Sequence, residues 1–134
     1  MKKLFDYKYS SPEPSTPFEK NIKEAINSYQ LALISPNIYP RFEFLYYAFE
    51  KAVNADGKDR KKKIFDKQAS ELTMIKGNEI EDIREFNNRI KHAIRTADDI
   101  LAIEKGINNF SSLATKLKSA TDKAILYRLD QRRL

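Results

Sequence analysis

Apolar residues recur every three or four positions along most of the chain, and this spacing is typical of helices with one buried face. The pattern becomes regular at Phe18 and continues until Ser35 and Pro36 interrupt it. Residues 16–19, Thr-Pro-Phe-Glu, supply an N-cap, a proline at the first helical position and the glutamate of a capping box. The sequence therefore predicts a first helix that starts at Pro17. Its expected core positions are Phe18, Ile22, Ala25, Ile26, Tyr29 and Leu33.

Two further helices are predicted between residues that stop helices. Pro40 is expected to open the second helix, and residues 55–57, Ala-Asp-Gly, are expected to end it. The third helix is expected over about residues 58–75, with Lys76 and Gly77 as its stop. The expected core positions are Phe42, Leu45, Tyr46, Phe49 and Val53 in the second helix, and Ile64, Phe65, Ala69 and Leu72 in the third.

A fourth and a fifth helix complete the pattern. Asn78 is expected to cap the fourth helix, with Glu81 three residues later, and Gly106 is expected to close it. The fifth helix is expected to begin near Ser111 or Ser112 and to end in a basic tail. The expected core positions are Ile83, Phe86, Ile90, Ile94, Ala97 and Leu101 in the fourth helix, and Leu113, Leu117, Ala120, Ala124 and Tyr127 in the fifth. The basic tail contains Arg128, Arg132 and Arg133.

The five periodic segments favour an all-α fold, a single-domain bundle of about five helices around one core. A chain of 134 residues is long enough to form one such domain. The first 16 residues do not share the helical pattern, because the stretch SSPEPSTP disfavours regular structure. We therefore divide the chain into an irregular N-terminal arm, residues 1–16, and a helical bundle domain, residues 17–134.

The composition limits the classes of function. Cysteine is absent and His92 is the only histidine, so a disulfide, a thiol nucleophile or a zinc site is not expected. The chain has three glycines and no glycine-rich loop for a phosphate, and we expect neither a metal nor a cofactor. No apolar run approaches the roughly 20 residues of a membrane span, so we expect no membrane and a cytoplasmic location.

The net charge of +6 mildly favours an anionic partner such as nucleic acid, although many solvated helical proteins carry a similar excess. One candidate contact is a basic run at the start of the third helix, which could bind phosphates or form a solvated helical turn. Another is the fourth helix, where helical geometry predicts His92 on a polar ridge opposite the apolar stripe. The basic run consists of Lys58, Arg60, Lys61, Lys62 and Lys63, and the fourth helix contributes Arg84, Asn87, Asn88, Arg89, Lys91 and Arg95. The cations of the fourth helix could contact phosphate or pair with neighbouring carboxylates. Tyr47 and Phe44 lie off the core stripe of the second helix and are candidates for a second interface.

The second helix, RFEFLYYAFEKAVN, and the later stretch EFNNRIKHAIR together resemble the HEPN superfamily of small α-helical domains. The resemblance covers roughly residues 20–105 in layout, and individual residues match only around the last motif. The family signature is an arginine, usually followed by Asn, His or Asp, with a histidine four to six residues beyond the arginine. In active members this pair lies at a dimer interface and cleaves RNA without a metal, whereas many members have lost the pair and act as binding partners.

In this chain Asn88 and His92 occupy the polar and histidine positions of that signature, but Asn87 occupies the position of the arginine. An amide at position 87 cannot carry the positive charge that the motif arginine supplies for the developing phosphorane. The resemblance therefore implies a homodimeric interaction module, associated with RNA, a nucleotide or a partner protein, that is non-catalytic or weakly active. The alternatives are a metal-independent endoribonuclease of the toxin or defence type, and a structural helical adaptor with no nucleic-acid role. In the endoribonuclease, His92 would act as the base, and Arg95, Arg89 or Arg84 would supply the cation.

Overall fold

A computed structural model describes residues 16–58, 60–93 and 110–132, and within these ranges the chain forms five helices and no strand. The helices are α1 (Pro17–Ile34), α2 (Ile38–Val53), α3 (Lys62–Thr73), α4 (Gly77–Ala93) and α5 (Phe110–Arg132). The all-α prediction is therefore confirmed for the described residues. The side chains of residues 92, 93, 110, 111 and 132 lie outside the description, as do almost all of the predicted arm and the predicted course of the fourth helix beyond residue 93.

The start of α1 agrees with the sequence, whereas the bounds of α2, α3 and α4 differ from it. Thr16 caps α1, since its hydroxyl oxygen accepts a hydrogen bond from the backbone N–H of Glu19 at 3.1 Å. Helix α2 begins two residues before Pro40, and α4 begins at Gly77, so that Asn78 lies inside α4 and is not its cap. Helix α3 is shorter than expected: it begins at Lys62, about four residues late, and Met74, in the left-handed conformation at φ 64°, ends it before Lys76.

Helix α2 lies at the centre of the bundle and packs against each of the other four helices. Only three residues connect it to α1, so the two helices pack as an antiparallel hairpin. The Ser28 hydroxyl donates to the carbonyl oxygen of Phe44 at 2.7 Å across this hairpin. On the other side of α2, the Phe42 ring meets the Phe86 ring of α4 edge-on, with centroids 4.9 Å apart. None of the helices in the described ranges combines the length and hydropathy that crossing a bilayer requires.

Most predicted core positions in the described ranges are buried, but three are wrong. Leu33 is 42% exposed, Ile64 58% and Tyr127 43%. Their sequence neighbours Ala32, Phe65 and Arg128 are buried. The pattern therefore identified the face of each helix that meets the core, and the three exposed residues are single positions wrongly assigned to that face.

Arg128 was expected in an exposed basic tail, but the structure places it in the core. Its Nε donates to the carbonyl oxygen of Ala52 at 3.0 Å, and its Nη2 donates to that of Val53 at 2.6 Å. The last carbonyls of a helix have no donor within the helix itself. Arg128 of α5 therefore caps the C-terminal end of α2.

A second arginine holds the loop that follows α2. Arg60 donates to the Asp56 carboxylate at 2.9 Å and to the Asn54 side-chain oxygen at 3.1 Å. This guanidinium lowers the pKa of the Asp56 carboxyl to about 2, so the carboxylate is charged at neutral pH. Asp56 also lies 3.9 Å from Arg128 and partly balances the charge of that buried cation. Burial lowers the pKa of Arg128, and the Asp56 carboxylate opposes that shift.

We expect Phe86→Ala to lower the free energy of unfolding by about 3–5 kcal/mol, because it leaves a cavity beside Phe42. The measurement is urea unfolding followed by far-ultraviolet circular dichroism. Glu71→Ala is the control, since Glu71 is exposed on α3 and its loss should cost less than about 0.5 kcal/mol. Equal unfolding midpoints for the two variants would contradict the burial of Phe86.

We expect Arg128→Met to lower the free energy of unfolding by about 3 kcal/mol, because two buried carbonyls lose charged donors while the apolar stem is kept. Arg128→Lys should recover only part of this loss, since an ammonium cannot reproduce the two-pronged geometry of a guanidinium. Lys123→Met serves as the control, because Lys123 is an exposed cation on the same helix. A midpoint for Arg128→Met equal to that of Lys123→Met would rule out the capping role.

Candidate ligand-binding groove along α2 and α4

A groove of about 950 Å³ runs along α2 and is bordered by residues of α1, α3 and α4. Its volume lies in the range of pockets that hold small molecules or single nucleotides. Three aromatic side chains of α2 line it, namely Phe44, Tyr46 and Tyr47. Tyr46 is buried and burial raises the pKa of its phenol, which therefore stays neutral. Tyr47 is 44% exposed and offers part of its ring to a ligand.

Helix α4 contributes one continuous strip to the groove. Arg84, Asn87, Asn88 and Lys91 all line it. Their spacing of three, four and seven residues puts them on the same side of a helix, so they reach the groove together. Arg84, Asn87 and Asn88 were predicted as binding residues, and Lys91 is one of the fourth-helix cations that the sequence analysis considered as phosphate contacts.

Arg84 is already engaged within the protein. Its guanidinium donates to the carboxylate of Asp66 on α3, and both side chains are largely buried. After burial and the charge of Glu50, the charges of Arg84 and Asp66 also affect the pKa of the Tyr46 phenol. Arg84 therefore helps to hold α3 against α4, and much of its charge is neutralised before any ligand arrives.

Asn87 differs from its neighbours because it lies in the core face of α4. It follows Ile83 by four residues and precedes Ile90 by three, and both of these are buried. The Asn87 side chain is itself only 5% exposed, and its Oδ1 has no hydrogen-bond partner among the described residues. A buried acceptor without a donor costs about 1–3 kcal/mol, so an unpaired amide that borders a groove is an unusual feature.

The predicted basic run divides into two parts. Lys62 and Arg60 line the groove, whereas Lys58, Lys61 and Lys63 are exposed elsewhere around the start of α3. Arg60 is bound to Asp56 and Asn54, which leaves Lys62 as the lysine of this run that can reach a ligand in the groove. Lys61 is the N-cap residue of α3 and makes no capping hydrogen bond through its side chain. The first turn of α3 also contains no acidic residue.

The two sides of the groove have opposite charge. Helices α1 and α2 contribute carboxylates, while α3 and α4 contribute cations. Glu24 is paired with Lys51 at 3.1 Å, and the Nζ of Lys51 lies 5.5 Å from the centre of the Tyr47 ring. Glu43 and Glu50 have no ion-pair partner among the described residues, and neither has Lys62 or Lys91. The groove is therefore suited to a ligand with hydrogen-bond donors at one edge and negative charge at the other.

Of the three catalytic residues predicted from the sequence, Arg89 is the one whose side chain the structure describes. Arg89 is exposed on α4 and is absent from the groove lining. His92 belongs to the last turn of α4, one turn beyond Asn88, but its side chain lies outside the described residues. Arg95 lies outside them entirely. The described residues contain no group of histidine and acidic side chains that could hold a metal ion.

The burial of Asn87 and the participation of Glu43 and Glu50 were not predicted from the sequence. A signal for Asn87 was present, because it occupies an apolar-face position between Ile83 and Ile90. The carboxylates gave no such signal, since nothing in the local pattern indicates which helices border a groove. Comparisons of the chain with family models, with curated proteins and with solved structures give no match. The residues that line the groove are therefore the basis of the proposed function.

Proposed function

We propose that the protein is a HEPN-like helical module that binds RNA in the groove along α2 and α4 and has no efficient catalytic activity. The observation that carries this proposal is the meeting of three features in one groove. The predicted α4 residues Arg84, Asn87 and Asn88 border it, the free cations Lys62 and Lys91 lie on the same side, and the exposed Tyr47 ring lies on α2. The resemblance of EFNNRIKHAIR to the family motif supports RNA as the ligand.

Single-stranded RNA fits these features better than duplex RNA. Proteins bind unpaired bases by stacking them on aromatic rings and bind the backbone through lysine and arginine. Tyr47 supplies a partly exposed ring, and Lys62 and Lys91 supply exposed ammonium groups. Further contacts with the RNA backbone would be made on the surrounding basic surface, including Lys61 and Lys63.

The absence of efficient cleavage follows from the state of the cations near the motif. RNA cleavage through its own 2′-hydroxyl needs a base and a pre-organised cation for the phosphorane. The motif arginine is replaced by the neutral, buried Asn87, and Arg84 is paired with Asp66. Loss of one such donor typically lowers the rate about 10²–10³-fold. His92 and Arg95 then serve as interface or phosphate-contact residues.

We also propose that α4 forms a symmetric homodimer interface, as the resemblance implies. In a two-fold interface each residue faces the same patch on the partner, so a surface must be complementary to itself. Glu85, Asn88 and Arg89 are exposed on α4 and combine both charges with an amide. Such a surface can pair Glu85 of one protomer with Arg89 of the other, and the reverse. His92 and Arg95 would lie at or near this interface.

The binding proposal predicts that a fluorescently labelled single-stranded RNA binds the wild type and that groove variants bind more weakly. Tyr47→Leu should lose about 1–3 kcal/mol of binding free energy, measured by anisotropy, because it removes a stacking surface. Lys62→Ala and Lys91→Ala should each reduce the dependence of log Kd on log salt by about 0.7. Tyr127→Leu, Lys67→Ala and Lys123→Ala are the matched controls, because these residues are similarly exposed but lie outside the groove lining.

Two outcomes would contradict the proposal. Equal losses for Tyr47→Leu and Tyr127→Leu would show that RNA binds elsewhere, and no binding at low salt would favour the structural adaptor. The same mixtures, with a chelator present, also report cleavage on a denaturing gel. Brisk cleavage by wild type that His92→Ala abolishes would support the endoribonuclease alternative and overturn the non-catalytic assignment.

The dimer proposal predicts a mass near twice 15.6 kDa in light scattering at tens of micromolar. Glu85→Arg should shift the protein towards the monomer, because it places like charges opposite each other at the two-fold interface. The double variant Glu85→Arg with Arg89→Glu should restore the dimer, since it exchanges the charges without removing the complementarity. A monomeric wild type, or a dimer that neither variant affects, would exclude this interface.

A further inference from the structure

We propose that the groove holds the 3′-terminal nucleotide of a single-stranded RNA, with the phosphate on its 5′ side at Lys62 and Lys91 and its free 2′,3′-diol at Glu50. This inference rests on the proposed RNA binding and adds which part of the strand enters the groove. It starts from the positions of two unpaired ammonium groups and one unpaired carboxylate along the groove.

Four cations line the groove, and two of them are neutralised within the protein. Arg60 and Arg84 are each paired with an aspartate. Lys62 and Lys91 are exposed and have no ion-pair partner among the described residues. The free positive charge for a phosphate therefore comes from these two lysines.

The two lysines lie at the same end of the groove. Three residues connect α3 to α4, so these helices pack as an antiparallel hairpin, and the ion pair of Asp66 with Arg84 joins them. Lys62 precedes Asp66 by about one turn, and Lys91 follows Arg84 by about two turns. Both lysines therefore lie beyond this ion pair, on the side away from the connection, and form one cationic end.

Glu50 lies at the other end of the groove, near the ion pair of Asp66 with Arg84. Burial and then the charge of Glu50 raise the pKa of the Tyr46 phenol, and the charges of Arg84 and Asp66 also affect it. The Glu50 carboxylate is exposed, lines the groove and has no ion-pair partner among the described residues. Because Arg84 is already paired, Glu50 leaves this end with a net negative charge.

A groove with one cationic and one anionic end fits the terminal nucleotide of a strand better than an interior one. An interior nucleotide carries a phosphate on each side of its ribose, and the second phosphate would meet Glu50, where like charges repel. A 3′-terminal nucleotide carries a phosphate on its 5′ side only, and its two free hydroxyls can donate to a carboxylate. Dinucleotide-binding folds use a carboxylate in the same way to hold a ribose hydroxyl.

Tyr47 supplies the surface on which the terminal base stacks. It precedes Glu50 by three residues, so the ring and the carboxylate lie on the same side of α2, and the ring is 44% exposed. Exposed rings stack on any base, so the groove recognises the end of the strand and not its sequence. The strand then leaves at the cationic end, where Lys61 and Lys63 are exposed.

The test measures, by fluorescence anisotropy, how well unlabelled single-stranded RNAs of one sequence displace a 5′-labelled RNA from the full chain. We expect RNA with a 3′-hydroxyl end to bind about tenfold more tightly than the same RNA with a 3′-phosphate, because the added phosphate faces Glu50. RNA that ends in a 2′,3′-dideoxynucleotide should also bind about tenfold more weakly, because it lacks the donors without adding charge. A circular RNA of the same sequence should bind as weakly as the phosphorylated one, since it has no end.

Two carboxylate variants test the assignment of the diol. Glu50→Gln should bring the ratio between the 3′-hydroxyl and 3′-phosphate RNAs close to one, because an amide does not repel a phosphate. Glu43→Gln is the matched control and should leave the ratio unchanged. Glu43 is also an unpaired carboxylate of α2 that lines the groove, and its loss changes the net charge by the same amount.

A free nucleoside 5′-monophosphate offers the same phosphate and diol, so competition distinguishes the two sources. We expect the mononucleotide to displace the labelled RNA only at concentrations about tenfold or more above the Kd of the RNA, because the strand also contacts the basic surface around the start of α3. Displacement at concentrations below that Kd would assign the groove to free nucleotides and overturn the assignment to a strand end.

The outcomes separate this inference from the proposed function. Circular and 3′-phosphorylated RNAs that bind as tightly as the 3′-hydroxyl RNA would overturn end recognition and leave the proposed RNA binding standing. A ratio that persists in Glu50→Gln, or that Glu43→Gln reduces equally, would overturn the role of Glu50. No binding of any RNA at low salt would overturn both this inference and the proposed function.

Discussion

At the end of α2, the guanidinium of Arg128 supplies hydrogen bonds to carbonyl groups that the helix leaves without donors. These bonds connect α5 to α2, and the neighbouring Asp56 and Arg60 hold the loop that leads into α3. A single buried cation therefore joins α5, the end of α2 and the loop that follows α2. Removal of Arg128 would take the shortest donor from the carbonyl of Val53 and a charged donor from that of Ala52, and the longer bonds from Arg60 at 3.4 Å and from the backbone N–H of Ala55 at 3.3 Å would remain.

The position of the groove follows from this arrangement. Helix α2 is buried along most of its circumference, and the part left open carries Glu43, Tyr47 and Glu50. The loop held by Arg60 sets where α3 begins and so where Lys62 lies. The ion pair between Arg84 and Asp66 fixes α4 against α3, which places the amide strip of α4 opposite the open part of α2. The core thus determines a surface with carboxylates on one side and cations on the other.

The apolar periodicity was sufficient to predict the five helices within the described residues and most of their core. Phe42, Phe49 and Ile83 were predicted as core and are fully or almost fully buried. Periodicity failed for polar residues in apolar-face positions, because a pattern analysis assigns charged and amide side chains to the surface. The buried Arg128 guanidinium is satisfied by the carbonyls of Ala52 and Val53, which lie 76 and 75 residues earlier in the chain. No local pattern contains that information.

The candidate site was predictable to a similar degree. The motif around Asn87 and Asn88 indicated which part of α4 to consider, and both residues do line the groove. The sequence did not reveal that Asp66 neutralises Arg84 or that Glu43 and Glu50 lie opposite, because these relations depend on how distant helices pack. Asn87 illustrates both the success and the failure of sequence patterns. Its position in the apolar stripe was visible in the sequence, whereas its unpaired oxygen is visible only in the structure.

The proposed function requires RNA to contact the groove along α2 and α4. A titration of ¹⁵N-labelled protein with a short single-stranded RNA, followed by nuclear magnetic resonance, tests it residue by residue. We predict the largest chemical-shift changes for the side-chain amides of Asn87 and Asn88 and for the backbone amides of Tyr47 and Lys91, with little change around Lys123 on α5. Chemical-shift changes confined to residues outside the groove lining, or none at low salt, would contradict RNA binding in the groove.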